Sequence, residues 1–249
     1  MQYKDKILFS IVVHDPEIIN RFEQDRKYSH LKHYNYLLVG KHENDYTSDK
    51  IIQCDRLANN IEDHKNYLAY TAWYAAAHNE IIPAAYDYVF FLEYDTIFID
   101  KDAIDTMIQN IFLEDKNVYG TDAFETTSCF LDGSIFNSLV VQYLVQNNIT
   151  GLPAKDKHWM ATNNMAFKRE FVKEFFKDEF TKNFLLFLNN DRMSGHNLER
   201  FLSVYCFYKR KSFGFINPHC LKHQALDSHD TQGRNQEYEK FKTANKISN

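Results

Sequence analysis

The sequence predicts an α/β fold: a mostly parallel central sheet flanked by helices, in a single domain. Three observations predict it. Runs of strand character at 7–13, 34–39, 50–54 and 88–92 alternate with polar or Ala-rich stretches of helical character. The runs do not alternate apolar with polar, which suits strands buried on both faces of a parallel sheet. The chain of 249 residues is 44% hydrophobic and holds only 7 Gly and 4 Pro, so it can bury a sizeable core and shows no linker, repeat or low-complexity stretch.

Taken in order, Ile-Leu-Phe-Ser-Ile-Val-Val from Ile7 forms a strand that stops at His14-Asp15-Pro16. A polar helical stretch follows, then a second strand from Tyr34 to Val39, ended by Gly40, and a shorter third from Lys50 to Cys54. The segment from Ile61 to Asn79 is Ala- and aromatic-rich without Gly or Pro, which predicts one mostly buried helix. Tyr88-Val89-Phe90-Phe91-Leu92 is the strongest strand and runs directly into Glu93-Tyr94-Asp95. Phe171, Phe175, Phe176, Phe180, Phe184, Phe187 and Leu188 recur at three- and four-residue intervals, predicting one amphipathic helix over 168–188 with the phenylalanines in the core. Residues 198–208 read as another helix, 213–216 as a last strand closed by Asn217-Pro218, and the chain after Asp227 as a polar tail.

Composition excludes several classes. Aromatics at 16% and charged residues at 25% rule out overall disorder, and a net charge of −5 lacks the basic footprint of a bulk nucleic-acid binder. No run approaches the ~20 apolar residues of a membrane span. The N-terminal stretch lacks the apolar region and cleavage site of a secretory signal. Cys54, Cys129, Cys206 and Cys220 are scattered without a CxxC pair and read as reduced thiols of a cytosolic chain.

The pair Glu93 and Asp95 carries the chemistry. Carboxylates at the end of a buried strand are costly to desolvate without compensation. A spacing of i, i+2 on a strand sends both out of one face, where they form a hard oxygen site for Mg²⁺ or Mn²⁺ with substrate phosphates. A solvated strand end is the alternative. In a parallel sheet a ligand lies across the carboxyl ends of the strands, which nominates His14, Asp15, Arg56, Asn60 and Lys65 for base, ribose or diphosphate, against plain capping roles. No GxGxxG or Walker A pattern offers a glycine-rich phosphate cradle. Glu199, expected at the start of a helix whose N-terminus favours a carboxylate, is the candidate general base, against a plain first-turn acid stabilising the helix dipole, with Asp191 and Asp156 as alternatives. Trp159, with His158 and Asn163, suits stacking on a sugar ring.

Glu93-Tyr94-Asp95 resembles the DxD-type motif of glycosyltransferases with the GT-A fold, with Glu93 in place of the first Asp. Asn60-Ile61 through Asn66-Tyr67 to Thr71-Ala72-Trp73-Tyr74 is similar to the helix before that motif in bacterial capsular-polysaccharide glycosyltransferases. Asn163-Asn164-Met165-Ala166-Phe167-Lys168-Arg169-Glu170 and Leu198-Glu199-Arg200-Phe201-Leu202 resemble that group's acceptor-side segment and the opening of its late helix. The resemblance spans most of the chain and implies a GT-A (Rossmann-like) domain over 1–249. Within it, 1–100 would be the nucleotide-sugar-binding half, 101–230 the acceptor-binding half and 231–249 a polar tail.

It further implies a metal-dependent transfer of sugar from a UDP- or GDP-sugar to a hydroxyl of a glycan or lipid-linked acceptor, with Mn²⁺ or Mg²⁺ against the diphosphate. Asp95 would be the direct ligand, Glu93 the second, and His219 or His223 the third, with His229 ranked below them. Tyr94 and Lys222 would meet the donor. The expected setting is cytoplasmic, bacterial or virus-encoded, with neither nucleic acid nor a membrane span, and with peripheral membrane contact left open. The competing readings are a metal-dependent phosphoesterase or nucleotidyltransferase, which would need further acids or histidines for a second ion, and a non-catalytic carbohydrate-binding protein on the same fold.

Overall fold

The structure is a computed structural model and describes residues 2–46, 48–98, 101–120, 123–125, 138–149, 158–160, 164–216 and 221–223. In chain order the elements are β1 (Ile7–Val13), α1 (Pro16–Gln24), β2 (Tyr34–Leu38), β3 (Ile51–Gln53), α2 (Tyr70–His78), β4 (Tyr88–Glu93), β5 (Thr96–Phe98), α3 (Lys101–Glu114), β6 (Val118–Gly120), β7 (Ala123–Glu125), α4 (Ser138–Gln146), β8 (His158–Met160), β9 (Met165–Lys168), α5 (Arg169–Lys177), α6 (Glu179–Leu188), α7 (Ser194–Tyr208), β10 (Phe213–Phe215) and β11 (Leu221–His223).

Seven strands form the main sheet in the order β3-β2-β1-β4-β9-β6-β10. β1 pairs in parallel with β2 and β4, β2 with β3, and β6 with β10. β9 runs antiparallel to both β4 and β6. The fold is therefore α/β with a mostly parallel, mixed sheet flanked by helices, compatible with a Rossmann-like arrangement. Two smaller pairs, β5 with β11 and β7 with β8, are also antiparallel.

All of β1 is buried, and its residues divide by parity between two cores as the pleat requires. Ile7, Phe9, Ile11 and Val13 pack with Phe90 and Leu92 against Ile19 and Phe22 of α1 and Ile104, Met107, Ile108 and Ile111 of α3. Leu8 and Val12 pack with Val89 and Phe91 against α2, α5, α6 and α7. Trp73, fully buried, joins these layers: its ring lies 5.3 Å from that of Phe91 and 5.1 Å from that of Phe167. Cys54 and Cys206 are free, buried thiols, and burial pushes both up in pKa.

Three sequence expectations need correction. The helix over 61–79 is confined to Tyr70–His78, with a single 3-10 turn at Lys65–Tyr67 before it. Glu62 turns inward to accept the Gly40 N–H at 2.6 Å, and Leu68 adopts φ +54°, ψ −132°, outside any helical region. The helix over 168–188 is two helices meeting at Asp178, whose backbone is extended (ψ 136°) and whose carboxylate caps α6 by accepting the Phe180 N–H at 2.8 Å. The phenylalanine spacing survives because each piece buries its own face: Phe171, Phe175 and Phe176 on α5, Phe184 and Leu188 on α6. The helix expected over 198–208 starts at Ser194, which moves Glu199 into its second turn.

Candidate functional site at the switch point of the sheet

The chain leaves β1 toward β2 and β3 on one side and returns to β4 on the other, so the crevice at the carboxyl ends of β1 and β4 is the topological switch point of the sheet. His14 and Asp15 follow β1, Glu93 ends β4, and Tyr94 and Asp95 form the turn after it. Val12 lies opposite Glu93 in the ladder, and the Tyr94 N–H donates to the Val12 carbonyl at 3.2 Å. The His14 and Tyr94 rings meet edge to face with centroids 5.0 Å apart.

The Glu93-Tyr94-Asp95 turn is held from two directions. Asn164, buried just ahead of β9, accepts through Oδ1 from the Glu93 N–H at 2.8 Å and from the Thr96 hydroxyl at 2.9 Å. One amide oxygen thus ties the residue before the turn to the residue after it. From the other side, Lys27 donates from Nζ to the Tyr94 carbonyl at 2.7 Å. Lys27 is 3% exposed. Burial drives its ammonium down to about 7; the charge of Asp95 opposes the fall and that of Arg21 adds to it.

The two carboxylates meet different neighbours. Glu93 continues the face of Val89 and Phe91 toward α2 and α7, where its charge reaches Tyr70 and His196. The Tyr70 phenol is held well above its ordinary value by burial first, then by Glu199 and Glu93, with Arg200 opposing. The His196 imidazole is lowered by burial and by Arg200, against the pull of Glu93. The strand ends at Glu93, and Tyr94 and Asp95 lie in a turn, so the pleat that would send both acids out of one face does not extend to Asp95. The charge of Asp95 is felt by Lys27, on the α1 side.

Glu199 is 7% exposed and forms an ion pair with Arg200, which also donates to the His196 carbonyl at 3.2 Å. The neighbour that compensates its charge is this guanidinium rather than a helix N-terminus, which is a turn away. The N-terminal part of α7 is set by Asn197, fully buried, whose Oδ1 accepts from the N–H groups of Leu139 and Val140 at 3.1 and 3.0 Å. β8 lies against α7: the Ser203 hydroxyl accepts from the Met160 N–H at 2.9 Å and donates to its carbonyl at 3.0 Å. His158 and Trp159 sit on that strand, opposite Glu125 and Phe124 in register.

β11 pairs antiparallel with β5, setting His223 opposite Thr96 and Lys222 opposite Ile97. The backbone at His223 therefore runs beside the residue that follows Asp95. His219, His229, Asn163 and Asp156 lie outside the described residues. Among the described residues no group of three or more His, Cys, Asp or Glu is arranged to hold a metal ion.

Several nominated side chains do local structural work. Asp15 caps α1 by accepting the Glu17 N–H at 2.9 Å. Arg56 donates to the carbonyls of His42 and Glu43 at 2.9 and 3.3 Å and pairs with Asp45 at 3.0 Å, bracing that loop. Asn60 donates to the Leu57 carbonyl at 2.8 Å and accepts the Glu62 N–H at 3.2 Å. Asp191 accepts the Met193 N–H at 2.8 Å at the entry to α7, and Lys65 is exposed. Lys27, Tyr70, Asn164, His196 and Arg200 were not nominated for the site. Asn164 and Arg200 belong to segments singled out by the resemblance, whereas nothing in the polar stretch around Lys27 distinguishes it.

The chain matches no protein-family model, and a search of curated proteins finds no significant match. The fold and the side chains at the switch point therefore carry the functional argument.

Proposed function

We propose that the protein is a metal-dependent glycosyltransferase on a GT-A-type fold, transferring a sugar from a UDP- or GDP-sugar to a hydroxyl of a glycan or lipid-linked acceptor in the cytoplasm. The observation that carries this reading is the acidic turn at the switch point, with β11 bringing the backbone of His223 opposite Thr96, next to Asp95. A nucleotide lies across such a crevice in open α/β sheets, and the Tyr94 and His14 rings meet where β1 and β4 end.

The donor set suits Mg²⁺ or Mn²⁺. Such ions bind through one or two carboxylates and complete their shell with substrate phosphates, so Asp95 would hold the ion on the protein side, with His223 or His219 as a further donor. Glu93, which faces α2 and α7, would act through water or on the donor sugar. The bound ion supplies Lewis-acid neutralisation of the nucleoside diphosphate as it leaves. Lys222 adds a point charge for phosphate oxygens. In an inverting transfer Glu199 accepts the proton of the acceptor hydroxyl, whose oxygen bonds to the anomeric carbon as the bond from that carbon to the diphosphate oxygen breaks. Arg200 pairs with that carboxylate in a largely water-free setting. His158 and Trp159, on the strand beside the helix that carries Glu199, are the acceptor-side candidates, together with Asn163.

A thermal-shift series with UDP and GDP, each with and without Mn²⁺, followed by donor hydrolysis or transfer assays, tests the reading. Metal-dependent stabilisation by one nucleotide is expected, together with a loss of transfer of at least ~100-fold in Asp95→Ala. A folded Asp95→Ala protein with full transfer activity overturns it. Cleavage of simple phosphate esters points to a phosphoesterase instead, and sugar binding indifferent to nucleotide points to a non-catalytic lectin-like role.

A further inference from the structure

α1 ends in a Schellman motif. The Arg26 N–H donates to the Glu23 carbonyl at 3.2 Å, the Lys27 N–H donates to the Phe22 carbonyl at 2.9 Å, and Arg26 takes the left-handed conformation at φ +50°. The residue after the left-handed one in this motif ordinarily makes an apolar contact with the helix residue whose carbonyl it caps. Here that position is Lys27, and the contact is kept: its Nζ lies 3.9 Å from the centre of the Phe22 ring and 5.1 Å from that of Tyr28. A Leu or Met would satisfy the motif without the cost of burying an ammonium. What the lysine adds is its head group, which crosses from the end of α1 to the Tyr94 carbonyl at 2.7 Å, in the middle of the acidic turn, within the field of Asp95.

We propose that Lys27 is a positioning residue for the acidic turn: anchored by the helix cap, it holds the Tyr94 peptide so that the Asp95 carboxylate is pre-set for a cation–diphosphate ligand. This deepens the glycosyltransferase reading and rests on it. Lys27 acts through the turn and does not itself touch the donor. Groups that orient a metal-binding carboxylate from behind contribute by removing its alternative orientations, and their loss typically costs 10- to 100-fold in metal affinity or activity.

The test uses the full chain with Mn²⁺ and UDP or GDP as probes. Free Mn²⁺ is read by electron paramagnetic resonance, and thermal midpoints are measured on the same samples. Lys27→Met keeps the stem and its contact with Phe22, so the midpoint is expected to hold or rise. Mn²⁺ uptake in the presence of nucleotide is expected to weaken about tenfold. Lys27→Arg, which retains a charged donor, is expected to restore part of the affinity. Unchanged Mn²⁺ affinity in a folded Lys27→Met protein overturns the proposal, as does a fall in midpoint alone, which marks a purely structural lysine. Tighter Mn²⁺ binding also overturns it, because the lysine would then act only as a competing charge. Failure of the wild-type protein to take up Mn²⁺ with either nucleotide sinks the functional reading and this inference together, so the two failures are distinguishable.

Discussion

Asn197 shows how much one amide can organise. It is fully buried, accepts two N–H groups at the start of α4 through Oδ1, and donates from Nδ2 to the Met193 carbonyl at 2.9 Å. Replacing it by Ala leaves two helix N-terminal donors without this acceptor in a dry environment, so Asn197→Ala should cost about 1–3 kcal/mol of stability. Denaturant titration checks this, and a loss under half a kilocalorie would show the donors finding other acceptors. On the proposed glycosyltransferase reading, the same variant is also expected to lower transfer activity, because Asn197 sets the part of α7 that carries Glu199. At this scale the sequence reveals chemistry but not company. Glu93 and Asp95 stand out because two carboxylates ending a buried strand are costly. Lys27 and Asn164 do not, because an isolated Lys or Asn carries no local signal of reaching across 67 or 71 residues of chain.

Among the elements, the parallel strands β1, β2, β3, β4 and β10 were the readable ones, whereas the three-residue β6, also buried and parallel to β10, was missed. The runs of β1 and β4 are continuous because both faces are covered, and the observed β1, β2, β3 and β10 fall within the expected segments, with β4 reaching one residue further, to Glu93. β9 was missed although it pairs with both β4 and β6. It is only four residues long, Met165–Lys168, and passes straight into α5, so its pattern merges with the helix. The break between α5 and α6 was hidden for the opposite reason: phenylalanine spacing carries on through it, and neither Gly nor Pro marks it. The mark is Asp178, which caps α6 and also pairs with Lys209 of the segment after α7 at 2.9 Å. Asp178→Ala should therefore cost about 1 kcal/mol, the ordinary value of an N-cap, with the partly exposed ion pair adding little. Asp178→Asn, which keeps a capping oxygen, should recover most of that loss in the same unfolding assay.

For the whole molecule, the alternation of strands and helices that makes an α/β fold is carried openly by the sequence, while the strand order, with β9 and β6 inserted between β4 and β10, and the side of the sheet each acid faces are not. No helix among the described residues is long and apolar enough to cross a membrane. The stability of the fold should also record one buried acid at the end of β2. Glu62 is 6% exposed and accepts the N–H of Gly40, a glycine at φ +89° where other residues are strained. Burial raises the Glu62 carboxyl above its ordinary range, Asp55 adds to the rise, and the Gly40 N–H, Thr71 and His42 oppose it. Below the unfolded carboxyl range (about 4.3) both states hold the proton, and the group contributes no pH dependence. As pH rises through that range the unfolded chain loses its proton first, so stability falls with pH until folded Glu62 also ionises, by about 1.4 kcal/mol per unit of upward shift. Glu62→Gln keeps an acceptor for Gly40 and cannot ionise, so its stability should gain on the wild type as pH climbs from 4 to 7. Urea unfolding at half-unit pH steps measures that difference, and two parallel curves would mean that the Glu62 carboxyl titrates alike in the folded and unfolded chain.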